Sequence, residues 1–364
     1  MTFEEFCKKR GVELLCWQRQ AADAFLAEVY PHRDGGTGKS HLTMLLKEFI
    51  NEHGSDFELD SHSVENDVSE SNKPTFLAKP IGNIPVYGII EQLFVFPTIT
   101  TPADVYRLFF RPGEVVEVRA LGCKGVDNAW DGFADGAGCV FGYFDNADDL
   151  SRAVAALGAI PAARAPRGIY FTLNPPRPAI IARAQNRLMA FGENRQSTTD
   201  SEILVVRWLP VDINIRRSLR PAGISSSDEE LEIISNAACN LTEWATVWLG
   251  MPAPIKAFSG NGYHLMWRIQ ELEPGDDVSG RSGLLARVIA GMNTRLRATD
   301  PLVGIDMGSI TASRIWKLYG TASRKGDNTD TRPHRVSKLI SAPACKFEDL
   351  PEVSLKVLDS LAWV

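Results

Sequence analysis

The chain has 364 residues, 44% of them apolar and 23% charged, which is the composition of an ordinary globular protein with room for two or three domains. No apolar run approaches the roughly 20 residues that cross a bilayer, so composition excludes a membrane-spanning role. The net charge of −6 argues against nucleic-acid binding on average, but the charge is unevenly distributed along the chain.

The first residues, Met1-Thr2-Phe3-Glu4-Glu5, are acidic and lack an apolar segment, so no signal peptide is expected. Six cysteines are scattered without a CxxC pair. That spacing argues against structural zinc and for a reducing, cytoplasmic compartment. Residues 11–29 carry Leu14, Trp17, Ala21, Phe25 and Val29 on one helical face. Asp34-Gly35-Gly36-Thr37-Gly38-Lys39-Ser40 follows and resembles a phosphate-binding P-loop. The pattern needs Gly at 33, where Arg33 stands, and a preceding strand where a helix is expected. The segment 1–54 therefore reads as a helical region with an incomplete P-loop. From Glu48 to Asn72 there are eight acids and no Lys or Arg. Such a stretch cannot bury enough apolar surface to order itself, so 55–83 reads as an acidic, flexible linker.

From about Pro85 the apolar density rises. A helix is expected over 102–110 with Thr101 as N-cap. Strands are expected over 115–121, 139–144, 168–173, 204–213, 263–269 and 302–306. Helices are expected over 148–156, 227–249 and 284–296, the second with Asp228, Glu229 and Glu230 in its first turn, where the helix dipole favours acids. Residues 346–364 read as a C-terminal tail helix. Alternating strands and helices give an α/β or α+β class.

Three features carry chemistry. Asp212 ends one apolar strand and Asp306 ends another. Two such acids suit an oxygen-liganded Mg²⁺ or Mn²⁺. Ser259-Gly260-Asn261-Gly262-Tyr263-His264 is a glycine-rich turn feeding a strand, able to bring backbone close to a phosphate. Arg314 to Lys338 contains seven Lys or Arg against two Asp, with Trp316 and Tyr319 interleaved, the footprint of a phosphate or nucleic-acid groove. Each feature alone also has a bland reading: a turn cap, a hairpin with a core-facing His, and a solvated basic face.

Together, Asp212, Gly262-Tyr263-His264, Asp306 and Arg314-Ile315-Trp316-Lys317-Leu318-Tyr319-Gly320-Thr321 resemble the archaeo-eukaryotic primase (AEP) superfamily. The strings Tyr170 to Pro175, Arg220 to Ser226, Arg324 to Asp327 and Arg332 to Arg335 extend the likeness, which is nearest to primase-polymerases of phages, plasmids and bacterial mobile elements. The resemblance covers roughly 85–345. It implies a catalytic domain over 84–345, with a small N-terminal α/β unit packed on an RRM-like antiparallel sheet with flanking helices. It implies metal-dependent, template-directed nucleotidyl transfer for primer synthesis, with Mg²⁺ or Mn²⁺ as cofactor and dNTP or NTP as substrate. The implied partners are single-stranded DNA template, primer and a separate helicase. Asp212, Asn214 and Asp306 fall on the metal-binding positions. Ser259, Gly260, Gly262, His264, Arg314 and Lys317 fall on nucleotide-binding positions. Arg324, Lys325, Arg332, His334 and Arg335 are expected to hold DNA.

Asn214 departs from the family's acid-x-acid pattern. An amide ligates through oxygen but brings no negative charge, so it weakens attraction for a pair of dications. Two alternatives follow: a weakened primase-like protein that still binds nucleotide or single-stranded DNA, and a P-loop ATPase fragment led by Gly35 to Ser40.

Overall fold

The computed structural model describes residues 101–124, 137–190, 197–221, 223–342 and 347–362. The chain divides at residue 95, and every described residue belongs to the second unit, Phe96–Val364. The expected linker and P-loop-like segment lie outside the described residues. Among the described residues no helix is long and apolar enough to cross a membrane.

The unit is mixed α+β. It opens with helix α1 (Pro102–Phe109), whose Thr101 cap accepts from the Asp104 N–H. Strands β1 (Val116–Lys124) and β2 (Ala137–Phe144) pair antiparallel, and helix α2 (Ala147–Gly158) follows. Strands β3 (Gly168–Thr172) and β4 (Leu188–Ala190) complete the local part of the first sheet. Next come β5 (Val206–Ile215), the long helix α3 (Asp228–Leu249), and β6 (Ile255–Phe258) with β7 (Tyr263–Leu272). Helix α4 (Leu284–Thr299) leads into β8 (Val303–Ile305). The last elements are short: β9 (Ile315–Lys317), the ribbon β10 (Ala322–Ser323) and β11 (Arg335–Val336), β12 (Lys338–Ser341), β13 (Glu352–Val353) and α5 (Leu355–Leu361).

The first sheet has the order β4-β2-β1-β3-β9 and the second β12-β6-β7-β5-β8. All pairings in both are antiparallel except β13, which joins β7 in parallel. Within the second sheet the chain runs β5-α3-β6-β7-α4-β8 and the strands lie β6-β7-β5-β8, a split βαββαβ arrangement.

Strand alternation explains the layers. On β5, Leu209, Val211, Ile213 and Ile215 join the core under α3 and α4, while Trp208 turns to the opposite core, shared with α1, β1 and β3. On β7, Leu265, Trp267 and Ile269 face the helices and Met266 faces away. Fully burying one such large apolar side chain contributes roughly 1.5–3 kcal/mol. The C-terminal helix α5 belongs to the helix-side core, with Leu358 and Leu361 completely buried.

Charged groups fasten two further segments. Buried Arg207 on β5 pairs with Glu114 at 2.6 Å, and its guanidinium lies 4.7 Å from the Phe347 ring, on which Arg268 also stacks. At the start of α3, Ser227 and Glu230 form a reciprocal capping box. Glu230 also accepts from Arg332 at 2.8 and 3.0 Å and from Arg220 at 3.2 Å.

Burial pushes the Glu230 carboxyl up, but Arg332, the Ser227 backbone N–H and Arg220 outweigh it and bring it from 4.5 down to about 2. A depressed carboxylate stabilises the fold above its unfolded value and loses that contribution as pH falls through the folded one. Glu230→Ala is therefore expected to destabilise the chain by about 2 kcal/mol in urea titrations at pH 7. The difference from the parent should shrink between pH 4.5 and 2. An equal difference at both ends of that window would contradict this role for Glu230.

Candidate functional site: an acid row in a basic cleft

The site begins with strand register. Asp212 on β5 pairs directly with His264 on β7, and Ile213 pairs with Ile305 on β8. The next residue, Asp306, donates its backbone N–H to the Asp212 carbonyl at 2.9 Å. Asp306, Asp212 and His264 thus form one row across three strands. The two-residue period also brings Asn214 to the same face of β5 as Asp212. In that strand only Asp212 and Asn214 are not fully buried.

His264 is fixed from behind. Its Nδ1 lies 2.8 Å from the Tyr319 hydroxyl, and its ring packs 4.3 Å from that of Trp316. Trp316 Nε1 donates to the Tyr319 oxygen at 2.9 Å. The Tyr319 hydroxyl in turn has two neighbours in reach, His264 Nδ1 and Met266 Sδ, the latter at 3.2 Å. His264 Nε2 lies 3.5 Å from Asp212 Oδ1. Asn214 Nδ2 donates to the same oxygen at 2.6 Å. Burial pushes the Asp212 carboxyl up, but His264, the Asn214 amide and Arg314 hold it below the ordinary carboxylate range.

The Ser259 to Gly262 turn joins β6 to β7 as a hairpin, closed by the Ser259 N–H on the Gly262 carbonyl at 3.0 Å. Gly260 has φ +97°, where a side chain is strained. A Cβ on Gly262 would lie 2.5 Å from both the Ile213 carbonyl oxygen and Asn214 Oδ1, so that glycine lets the turn pass against the acid strand. Asn261 anchors the turn, accepting from the Ser226 N–H and donating to Ser323 Oγ at 2.9 Å.

These elements line a cleft of about 780 Å³. Nine Lys or Arg side chains border it against two acids, Asp212 and Asp306. Among the expected nucleotide-binding residues, Ser259, His264, Arg314 and Lys317 line it. Gly260 and Gly262 act behind the lining, through backbone geometry. Arg324 and Lys325 line the cleft as well. Arg332, His334 and Arg335 do not. Arg332 is bound to Glu230, Arg335 donates to Asp228 at 2.7 Å and to the Ser226 carbonyl, and the His334 ring meets the Gly326 carbonyl at 2.8 Å. Sequence reasoning left out Arg167, Arg216, Arg217, Arg220 and Arg297 as site residues; all five line the cleft. The pair Arg216-Arg217 directly after the β5 acid was the available signal.

Lys317 is the most perturbed of the cleft cations. It is 4% exposed, donates to the Ala322 carbonyl at 2.8 Å and lies over the Tyr170 ring. Burial, reinforced by nearby Arg324, brings its ammonium down to about 7.

The acid row can be compared with what a divalent cation needs. Asp306 Oδ1 accepts from the Gly308 N–H at 3.0 Å, and Oδ2 accepts from Arg217 at 3.0 Å with Arg314 at 3.6 Å. Asp212 brings a second carboxylate from the neighbouring strand, and Asn214 lies on the same face of that strand. Among the described residues no group of three His, Cys, Asp or Glu is arranged to hold a metal. Two carboxylates could ligate one Mg²⁺ or Mn²⁺ that takes its remaining ligands from a bound phosphate and water, while Asn214 turns its amide N–H, not its oxygen, toward Asp212. They do not fit a pair of dications.

Compared with known protein families, with curated proteins and with solved structures, the chain matches none.

A lysine lowered to about 7 titrates where free lysines stay charged. Between that value and 10.5 the unfolded chain binds the extra proton, so this group's contribution to stability rises with pH across the window. NMR of lysine labelled at Cε should show one resonance titrating near neutrality that disappears in Lys317→Met. A Lys317 resonance titrating near 10.5 would contradict the burial argument.

Proposed function

We propose that the described unit is a primase-polymerase-type nucleotidyltransferase domain, joining nucleotides to a primer strand along a single-stranded DNA template. The observation that carries the reading is the row Asp306, Asp212 and His264 set in a cleft bordered by nine basic side chains. Acids on neighbouring strands attract a dication, while the surrounding cations attract polyanions. A site that needs both at once handles a nucleoside triphosphate beside a phosphodiester strand. The βαββαβ order of the second sheet agrees with the RRM-like sheet of archaeo-eukaryotic primases, with the β4-β2-β1-β3-β9 sheet as the accompanying α/β unit.

In this reading Asp212 and Asp306 hold one divalent cation with the triphosphate. Bound there, the cation polarises the phosphoryl group and favours ionisation of the primer hydroxyl. His264, held in place by Tyr319 and Trp316, presents Nε2 to the triphosphate. Arg314 and Lys317 neutralise its phosphates, and triphosphate binding draws a proton onto Lys317 at neutral pH. Arg324 and Lys325, which also line the cleft, would hold the DNA strand.

A second reading, a weakened enzyme that chiefly binds nucleotide and single-stranded DNA, is favoured by one observation. Asn214 directs an amide N–H at Asp212, where the family pattern has a second acid.

Primer synthesis with labelled dNTPs, Mn²⁺ and single-stranded template tests both. The first reading expects product from the parent chain and a loss of about 100-fold or more in Asp212→Ala and Asp306→Ala. The second expects template binding without appreciable synthesis, and at least a tenfold rise in synthesis in Asn214→Asp. Folded parent and Asn214→Asp proteins that neither bind template nor make product would rule out both.

A further inference from the structure

Arg217 stands apart from the other cleft cations. It sits in the 216–219 turn that follows β5, closed by the Leu219 N–H on the Arg216 carbonyl. Its side chain is 87% exposed, yet its guanidinium reaches 3.0 Å from Asp306 Oδ2. The two oxygens of Asp306 have different duties. Oδ1 caps the short 3₁₀ turn that begins at Met307 by accepting from Gly308. Oδ2 faces the guanidinium groups of Arg217 and, at 3.6 Å, Arg314. One of the two oxygens of this cleft-lining acid is therefore held by an exposed arginine.

From this geometry we infer that Arg217 is a built-in counter-ion for the acid row. It occupies the divalent-cation side of Asp306 in the unliganded chain and releases it when a polyphosphate arrives. The inference rests on the nucleotidyl-transfer reading and names how that same site is regulated. An exposed guanidinium–carboxylate pair is weak and screened by salt, so it can be exchanged. A dication brings twice the charge to the same oxygen, and both it and Arg217 cannot sit there at once. The displaced guanidinium lies on the rim of the same cleft, where a triphosphate offers several oxygens to a planar, multiply donating group. Metal and polyphosphate would then load together, with each unable to bind well alone. Asn214 makes such a device more consequential. With one acid fewer in the row, a single arginine neutralises a larger share of the charge that attracts the metal.

Two probes test the exchange on the full chain: Mn²⁺ alone, followed by electron paramagnetic resonance of the free ion, and inorganic tripolyphosphate alone, followed by calorimetry. Arg217→Ala is expected to bind Mn²⁺ about three- to tenfold tighter than the parent at low salt, with the gap closing at high salt. The same variant is expected to bind tripolyphosphate more weakly. Asp306→Asn is the control for location and should lose most Mn²⁺ binding. If Asp306→Asn loses Mn²⁺ but Arg217→Ala gains none, or if tripolyphosphate binding is unchanged, the exchange is wrong while the metal site stands. If Asp306→Asn binds Mn²⁺ as the parent does, the acid row holds no metal and both the exchange and the catalytic reading fall.

Discussion

The antiparallel register of β8, β5 and β7 is the constraint on which the site depends. Pairing Ile213 with Ile305 and Asp212 with His264 fixes Leu209, Val211, Ile213 and Ile215 under α3 and α4. It leaves Asp212 and Asn214 on the other face. A slip of one residue would exchange the two sets, turning Asp212 and Asn214 into the core under α3 and α4 and apolar side chains into the cleft. The hydrophobic core therefore specifies the acid row, and the row needs no separate device to keep Asp306 beside Asp212. Gly262 belongs to the same constraint, since its missing side chain lets β7 begin against Ile213 and Asn214.

Charge is organised in two shells around that row. Each acid already has protein partners: His264 and Asn214 for Asp212, Gly308, Arg217 and Arg314 for Asp306. Outside them lies a ring of cations gathered from distant parts of the chain. An overall acidic protein thereby presents a strongly basic cleft. Lys317 shows the strain of that arrangement, because burial beside another cation lowers its proton affinity.

Much of this was legible in the sequence where a local rule decides the outcome. Thr101 and Ser227 marked helix starts because their caps act on neighbouring residues. The strands at β1, β5 and β7 followed from apolar runs, although β5 begins at Val206 and continues to Ile215 because pairing with β8 extends it. The short strands β4, β6, β9 and β12 were not foreseen. Three or four residues carry no periodicity, and these are held by neighbours far along the chain. The same division applies to the site. Asp212, His264 and Asp306 announce themselves as polar residues at strand ends. The basic run from Arg314 to Lys338 does not form one patch, because Arg332 and Arg335 are spent on the acids that open α3. Arg167 and Arg297 come into the cleft from separate elements, a convergence that only the folded chain displays.

The claim that joins these observations is that the acid row and the surrounding cations form one site for a metal-bound triphosphate. A crystal structure of the full chain with Mn²⁺ and a non-hydrolysable dNTP, read through the anomalous signal of manganese, tests it most directly. The account predicts one manganese peak between the carboxylates of Asp212 and Asp306, with the triphosphate against His264, Arg314 and Lys317. A triphosphate bound elsewhere, or manganese bound away from both carboxylates, would contradict it.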